Sequence, residues 1–170
     1  GDLTESGLVA QMIGRELTEY LPAHASAARG EERFAVRGLT SPGLFADVTF
    51  SVHAGEVVGL AGLVGAGRSE IARAIFGLDP RVRGSITVRG RDVTIRSPRD
   101  AMKLGIGFVP EDRKKQGLVL GMRSRENATL PTISRFARAG WIDRGAESTA
   151  VATSFSRVGL KRGHESAVQS

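Results

Sequence analysis

The 170-residue chain contains no cysteine, which excludes disulfide cross-links and thiolate metal centres together. Aromatic residues make up only 5%, too few for the row of stacking platforms that single-stranded nucleic acid requires. Long hydrophobic runs are missing as well. The longest, Val57 to Gly67, is short and broken by glycine, so no segment reads as a membrane-spanning helix. No secretory leader opens the sequence, and the expectation is a cytoplasmic chain that meets a membrane only through partners. Acidic residues are also in deficit: 24 Lys plus Arg against 18 Asp plus Glu leave a formal charge of +6. Apart from Arg113-Lys114-Lys115 the cations are scattered, which describes a solvated basic surface and no nucleic-acid stripe. The remainder, 41% hydrophobic and 25% charged, is the composition of an ordinary globular protein with room for a core.

The most informative segment is Gly62-Leu63-Val64-Gly65-Ala66-Gly67-Arg68-Ser69. It fits the phosphate-cradling pattern G-x-x-x-x-G-K-[ST] at every fixed position except one, where Arg68 replaces lysine. Ahead of it, Glu56 to Ala61 (EVVGLA) reads as a short strand buried on both faces of a parallel sheet. Behind it, Ser69 to Phe76 reads as a helix with Ile71, Ile75 and Leu78 at helical spacing and Gly77 as its stop. Strand, Gly-rich turn and helix together aim backbone N–H groups at a phosphate. Gly62, Leu63, Val64, Gly65, Ala66, Gly67, Arg68, Ser69 and Glu70 are therefore the candidate nucleotide-binding residues. The alternative is a Gly-rich turn that serves packing alone. A dinucleotide fingerprint is excluded, since Gly65-Ala66-Gly67 would need glycine where Glu70 stands.

Along the chain, Leu8, Val9, Met12, Ile13 and Leu17 form a helical stripe closed by Pro22. Ala23 to Glu32 is small and polar, a linker. Phe34 to Val36 reads as a first strand and Ala46 to His53 as a half-buried second, joined through Ser41-Pro42-Gly43. Ser85 to Val88 and Val93 to Ile95 flank Arg89-Gly90-Arg91-Asp92, a hairpin signal. Ser97, Pro98 and Asp100 supply the start of a helix from Pro98 to Leu104, followed by a buried strand from Ile106 to Val109. Glu111 to Gly117 is a charged loop. Ser124 to Phe136 should be helical with a break at Pro131, and Asp143 caps a last helix on which Val151, Phe155 and Val158 share a face. His24, His53 and His164 have no partner groups at recognisable catalytic spacing. Glu111-Asp112, two carboxylates after an apolar strand, admit a second reading as an acidic metal site.

The order of these elements, with GLTSPGLFADVTFSVHAGEVVGLAGLVGAGRSE (Gly38 to Glu70), RSPRDAMKLGIGFVPEDRKKQGLVLGMRSREN (Arg96 to Asn127) and GWIDR (Gly140 to Arg144), resembles one family. These segments are similar to the ATP-binding subunits of bacterial ABC importers for monosaccharides of the ribose, galactose and xylose type. That type fuses two nucleotide-binding halves in one polypeptide, and MIGRELTEY (Met12 to Tyr20) resembles the end of the first half. The resemblance implies an α/β fold: a P-loop core of ABC type, an antiparallel β subdomain and the start of a helical subdomain. It divides the chain into the end of a preceding half (1–22), a linker (23–32), the P-loop core and β subdomain (33–117), and an incomplete helical subdomain (118–170).

ATP and Mg²⁺ are the ligands it implies, with Ser69 and Glu111 toward the metal. Glu111 stands where such ATPases carry a glutamine, and Arg68 stands where an active half carries lysine. An LSGG-type signature, a later acidic strand and a histidine loop are not found, so the chain by itself is expected not to hydrolyse ATP. Phe45 is the nearest candidate for stacking on adenine. A non-hydrolysing regulatory module beside a catalytic partner half is the alternative function. The implied partners are membrane permease subunits, a second nucleotide-binding half and, indirectly, a sugar-binding protein, with no nucleic acid. Location follows as the inner face of the cell membrane. The implied docking surface comprises Glu111, Leu118, Val119, Leu120, Met122 and Arg123, unless other parts of the polypeptide cover those apolar residues.

Overall fold

The computed structural model describes residues 29–159. The helical stripe from Leu8 to Leu17, most of the linker, His24, His164 and the tail lie outside the described residues. The chain divides into two compact units, one ending at Phe108 and the other starting at Val109.

The first unit is organised around a four-stranded antiparallel sheet in the order β2-β1-β3-β4. Its strands are β1 (Glu32–Ser41), β2 (Phe45–His53), β3 (Arg83–Val88) and β4 (Arg91–Val93). Both hairpins form, but the second turn is only Arg89-Gly90: β4 is Arg91–Val93, where the sequence suggested Val93 to Ile95, and β1 runs longer than its apolar centre suggests. Val48, Phe50 and Val52 are half-buried on β2 while Asp47 and Thr49 face solvent, as period-2 alternation requires. The buried cluster is Val36, Leu39, Ile86, Ile95 and Ala101, with Phe34, Phe45, Phe50, Ile75 and Phe76 packed on it.

Two helices belong to this unit. Helix α1 (Arg68–Ile75) buries Ile71 and Ala74. Its end is set by Gly77, whose φ of 77° is left-handed. The Leu78 amide donates to Arg73 O at 2.9 Å and the Gly77 amide to Ala74 O at 3.0 Å, the paired bonds that close a helix on such a residue. A Cβ at Gly77 would also stand 2.8 Å from the Ser97 backbone, so no other residue fits. Helix α2 (Pro98–Lys103) starts as expected: Ser97 Oγ accepts from the Asp100 amide at 3.3 Å, and Pro98 fills the first turn. Beyond α1, buried Ser41 at the end of β1 donates its hydroxyl to Asp79. That bond, then the Arg81 amide, hold the Asp79 carboxyl below its usual range.

Two expected strands do not form. Glu56 to Ala61 and Ile106 to Val109 carry no ladder pairing among the described residues. A strand buried on both faces needs a paired neighbour along its edge, and among the described residues neither segment has one. The consequence is visible in exposure. Val58, Leu60, Ile106 and Phe108 line an apolar cleft of about 320 Å³ together with Phe34, Phe50 and Phe76. The alternate row is bare, with Val57 at 95% and Val109 at 85% exposure.

The second unit holds one turn of π-type helix (Arg113–Gly117), then α3 (Ser124–Thr129), a 3₁₀ segment (Leu130–Arg135), a two-stranded ribbon of β5 (Ala137–Arg138) and β6 (Trp141–Ile142), and α4 (Arg144–Arg157). The break expected at Pro131 is the change from α to 3₁₀ geometry, with a kink at Thr132. Asp143 caps α4 by accepting from the Ala146 amide at 3.0 Å. Val158 departs from its expected place. The helix ends at Arg157 and Val158 is 76% exposed, so the covered row is Glu147, Val151 and Phe155.

Candidate functional site

The loop from Gly62 to Ser69 is built by local bonds. The Ala66 amide donates to Leu63 O at 3.0 Å, and the first helical bond of α1 runs from the Ile71 amide to Gly67 O at 2.9 Å. Gly65 and Gly67 both have left-handed backbones, with φ of 84° and 80°. Gly67 is the N-cap of α1 and brings no side chain to the first amides of the helix, which leaves that end open to an external anion. Its second requirement is space: a Cβ there would lie 2.9 Å from Leu44 O in the β1–β2 turn. The β subdomain thus seats the start of the helix directly. Leu63 and Val64 are 86% and 99% exposed, so the crest of the loop faces solvent.

Arg68 opens α1 and turns back over the loop, where its Nη2 donates to Leu63 O at 3.4 Å. Its stem passes within van der Waals range of the Gly62 position. Here the guanidinium bridges the two ends of the cradle. Glu70, in the first turn of α1, is half-buried and lines a cleft with Leu44, Arg73, Asp79 and Arg81. Phe45 is half-buried, packed on one side against the core cluster, and its Cβ lies 3.5 Å from the Cβ position of Gly67. At the foot of the Glu56 segment, the Glu56 carboxylate accepts from the His53 amide at 2.8 Å and pairs with His53 Nδ1 at 2.9 Å. The His53 amide bond, then the His53 ring, lower the Glu56 pKa. His53 is thereby committed to a structural contact.

The loop suits a phosphate group on its own geometry. Glycine stands at Gly62 and Gly67, where a Cβ would strike Ala66 and Leu44 respectively, and a basic side chain overhangs the cradle. Ser69 is the second residue of α1. Glu111 belongs to the second unit and is exposed.

Within the second unit, the expected docking residues fall on a segment held by one side chain that the sequence did not single out. Asn127 of α3 accepts from the Val119 amide at 2.8 Å through Oδ1. Its Nδ2 donates to Val119 O at 3.0 Å, to Met122 O at 3.2 Å and to Arg123 O at 3.2 Å. Arg123 is fixed further by its own amide, which donates to Glu126 Oε2 at 2.9 Å. Of the four apolar residues, Leu118, Leu120 and Met122 are half-buried and only Val119, at 46%, is exposed. Asp112 caps the turn carrying Arg113, Lys114 and Lys115 by accepting from the Lys115 amide at 3.1 Å.

A second group missed in the sequence is the buried carboxylate of Glu147, 1% exposed. It accepts from Thr129 Oγ1 at 2.8 Å and from Arg144 Nη1 at 3.0 Å. The Thr129 hydroxyl first, then Arg144 and Arg125, outweigh its burial and lower its pKa. It joins α3 to α4.

A family model described as ABC transporter matches residues 45–170. Among curated proteins, the chain is 50% identical over 145 residues to the ribose import ATP-binding protein RbsA 2 of Streptomyces avermitilis, covering 85% of this chain and 28% of that one. It is 47% identical over 154 residues to the ribose import ATP-binding protein RbsA of Geobacillus kaustophilus, covering 91% and 31%. Over 170 residues it is 44% identical to the protein of the same name from Chelativorans sp., covering 99% and 34%. The chain therefore spans about a third of the length of these relatives. Among solved structures it resembles a nucleotide-free ATP-binding cassette from an ABC transporter, with a TM-score of 0.64 and 18% identity over 81% of this chain and 58% of that one. At that identity the likeness is one of fold.

Proposed function

The chain belongs to the ABC transporter family, and from that premise we propose that it forms part of the ATP-binding subunit of a monosaccharide importer. The observation that carries this reading is the cradle itself: a left-handed Gly67 with no capping side chain, seated on Leu44 O at the start of α1. The names of its relatives, ribose import ATP-binding proteins, give ribose as the first sugar to test.

In this proposal the backbone from Gly62 to Glu70 holds the phosphates, and Ser69 and Glu111 are the residues that would serve Mg²⁺. Bound ATP supplies the phosphoanhydride whose cleavage energises transport. Arg68 gives up Leu63 O for phosphate oxygens. As a broad planar cation it neutralises charge more diffusely than a lysine ammonium would. Phosphate binding survives that change better than transition-state stabilisation does. The second unit carries the contact with the permease, through Glu111, Leu118, Val119, Leu120, Met122 and Arg123. A second nucleotide-binding half completes the assembly, which sits on the cytoplasmic face of the membrane through its partners. The division of the chain at residues 22, 32 and 117 belongs to the same proposal.

The test uses the parent transporter with two readouts, nucleotide binding and sugar uptake. Gly67→Val is expected to weaken both. Leu118→Asp combined with Arg123→Glu is expected to abolish uptake while leaving nucleotide binding intact. Uptake that tolerates the double variant would move the docking surface elsewhere, and binding that tolerates Gly67→Val would remove the cradle from the account.

A further inference from the structure

The β5–β6 ribbon carries a feature that nucleotide binding and docking do not use. Its two central residues, Ala139 and Gly140, have φ of 49° and 84°, the tight turn that matches strand twist. The ribbon pairs Arg138 with Trp141 and Ala137 with Ile142, so Arg138 and Trp141 stand on one face as direct cross-strand neighbours. Its base is closed by the Asp143 amide donating to Phe136 O at 2.8 Å. This is a fixed hairpin, and the single tryptophan of the chain stands beside its tip, 83% exposed.

An exposed indole is costly unless something covers it, and the charges around it indicate what. Arg135 and Arg138 are exposed and have no ion pair among the described residues. Arg144 pairs with Glu147 yet remains 64% exposed. Two carboxylates follow the ribbon in sequence: Asp143, which accepts the Ala146 amide at the start of α4, and Glu147, which is buried against Arg144. The ribbon therefore presents an amphipathic ring paired across the strands with exposed Arg138, with exposed Arg135 two residues before β5.

We propose that this hairpin contacts an anionic lipid surface, with Trp141 at the level of the headgroups and Arg135 and Arg138 against their phosphates. A stable protein partner needs a patch of about 800 Å² per side, which a ribbon of two residue pairs does not offer. A lipid interface needs only an aromatic ring with a polar edge and adjacent cations. The inference rests on the transporter reading only in placing a membrane within reach.

Trp141 is its own probe. The 170-residue chain is titrated with phosphatidylglycerol vesicles, with phosphatidylcholine vesicles as the uncharged arm and polyglutamate as the acidic-peptide arm. Expected are a blue shift of Trp141 emission and its quenching by headgroup-proximal brominated lipid, on phosphatidylglycerol only, both lost at high salt. Arg135→Glu with Arg138→Glu should weaken the response roughly tenfold or more. Silence on phosphatidylglycerol, an equal response to phosphatidylcholine, a response to polyglutamate alone, or an unchanged double variant would each overturn the proposal. The salt response of the unaltered chain decides the matter even if the variant folds poorly. No nucleotide or permease is present, so failure here leaves the cradle reading intact, and a cradle that binds nothing leaves the hairpin proposal standing.

Discussion

Gly67 meets two demands that no other residue satisfies together. Its backbone lies in the left-handed region, which costs a residue with a Cβ about 1–2 kcal/mol, and its missing Cβ admits Leu44 O at close range. Arg68 works differently. Its guanidinium donates to Leu63 O at 3.4 Å, which holds the loop across its own mouth. Glu147 is the third residue of consequence. Its lowered pKa means that the stability it contributes is present above the ordinary value near 4.5 and is lost as pH falls through the lower folded value. Glu147→Gln should therefore destabilise α3 and α4 at neutral pH, by about 2 kcal/mol. The gap to the unaltered chain should close as pH drops well below 4.5. Chemical denaturation midpoints at neutral and acid pH check this; a gap independent of pH would contradict it.

At the scale of elements, Asn127 does for the 119–123 segment what glycine does for the loop. One side chain reaches four backbone groups; Val119 O and Arg123 O also accept backbone amides, whereas the Val119 amide and Met122 O are met by Asn127. Asn127→Ala is expected to release the segment, raising hydrogen exchange at the Val119 amide while α4 amides keep their protection. Equal loss of protection in both would show that Asn127 supports the whole unit and does not act on the segment. Neither Asn127 nor Glu147 was legible in the sequence. Polar side chains read as solvated, and only the folded geometry shows which have been drawn inside. Caps and turns were legible because their causes are local: Ser97 and Asp100 three residues apart, Gly77 directly after the C-cap Phe76, and a Gly90 turn between strands, though the strand after it begins two residues earlier than its apolar residues suggest. The runs Glu56 to Ala61 and Ile106 to Val109 read as buried strands because they are apolar. Their burial depends on neighbours distant in sequence, and among the described residues they line one side of a cleft instead. The turn from Gly62 to Gly67 ahead of α1 was legible as backbone, since Gly65 and Gly67 take the left-handed conformation that their spacing suggests.

For the whole molecule, family membership and the likeness to a solved cassette agree on the fold. The chain matches the ABC transporter model over residues 45–170, and the fold likeness extends to a solved ATP-binding cassette. A span of about a third of the relatives makes transport a property to be tested in the parent protein, whereas nucleotide recognition can be tested in this chain directly. The decisive measurement is an amide-resolved NMR titration of the chain with Mg-ATP, run beside Gly67→Val. The account predicts chemical-shift changes centred on Gly62 to Glu70 in the unaltered chain and their loss in the variant. Amides of that loop unmoved by millimolar Mg-ATP, or shifts centred elsewhere and indifferent to Gly67, would contradict it.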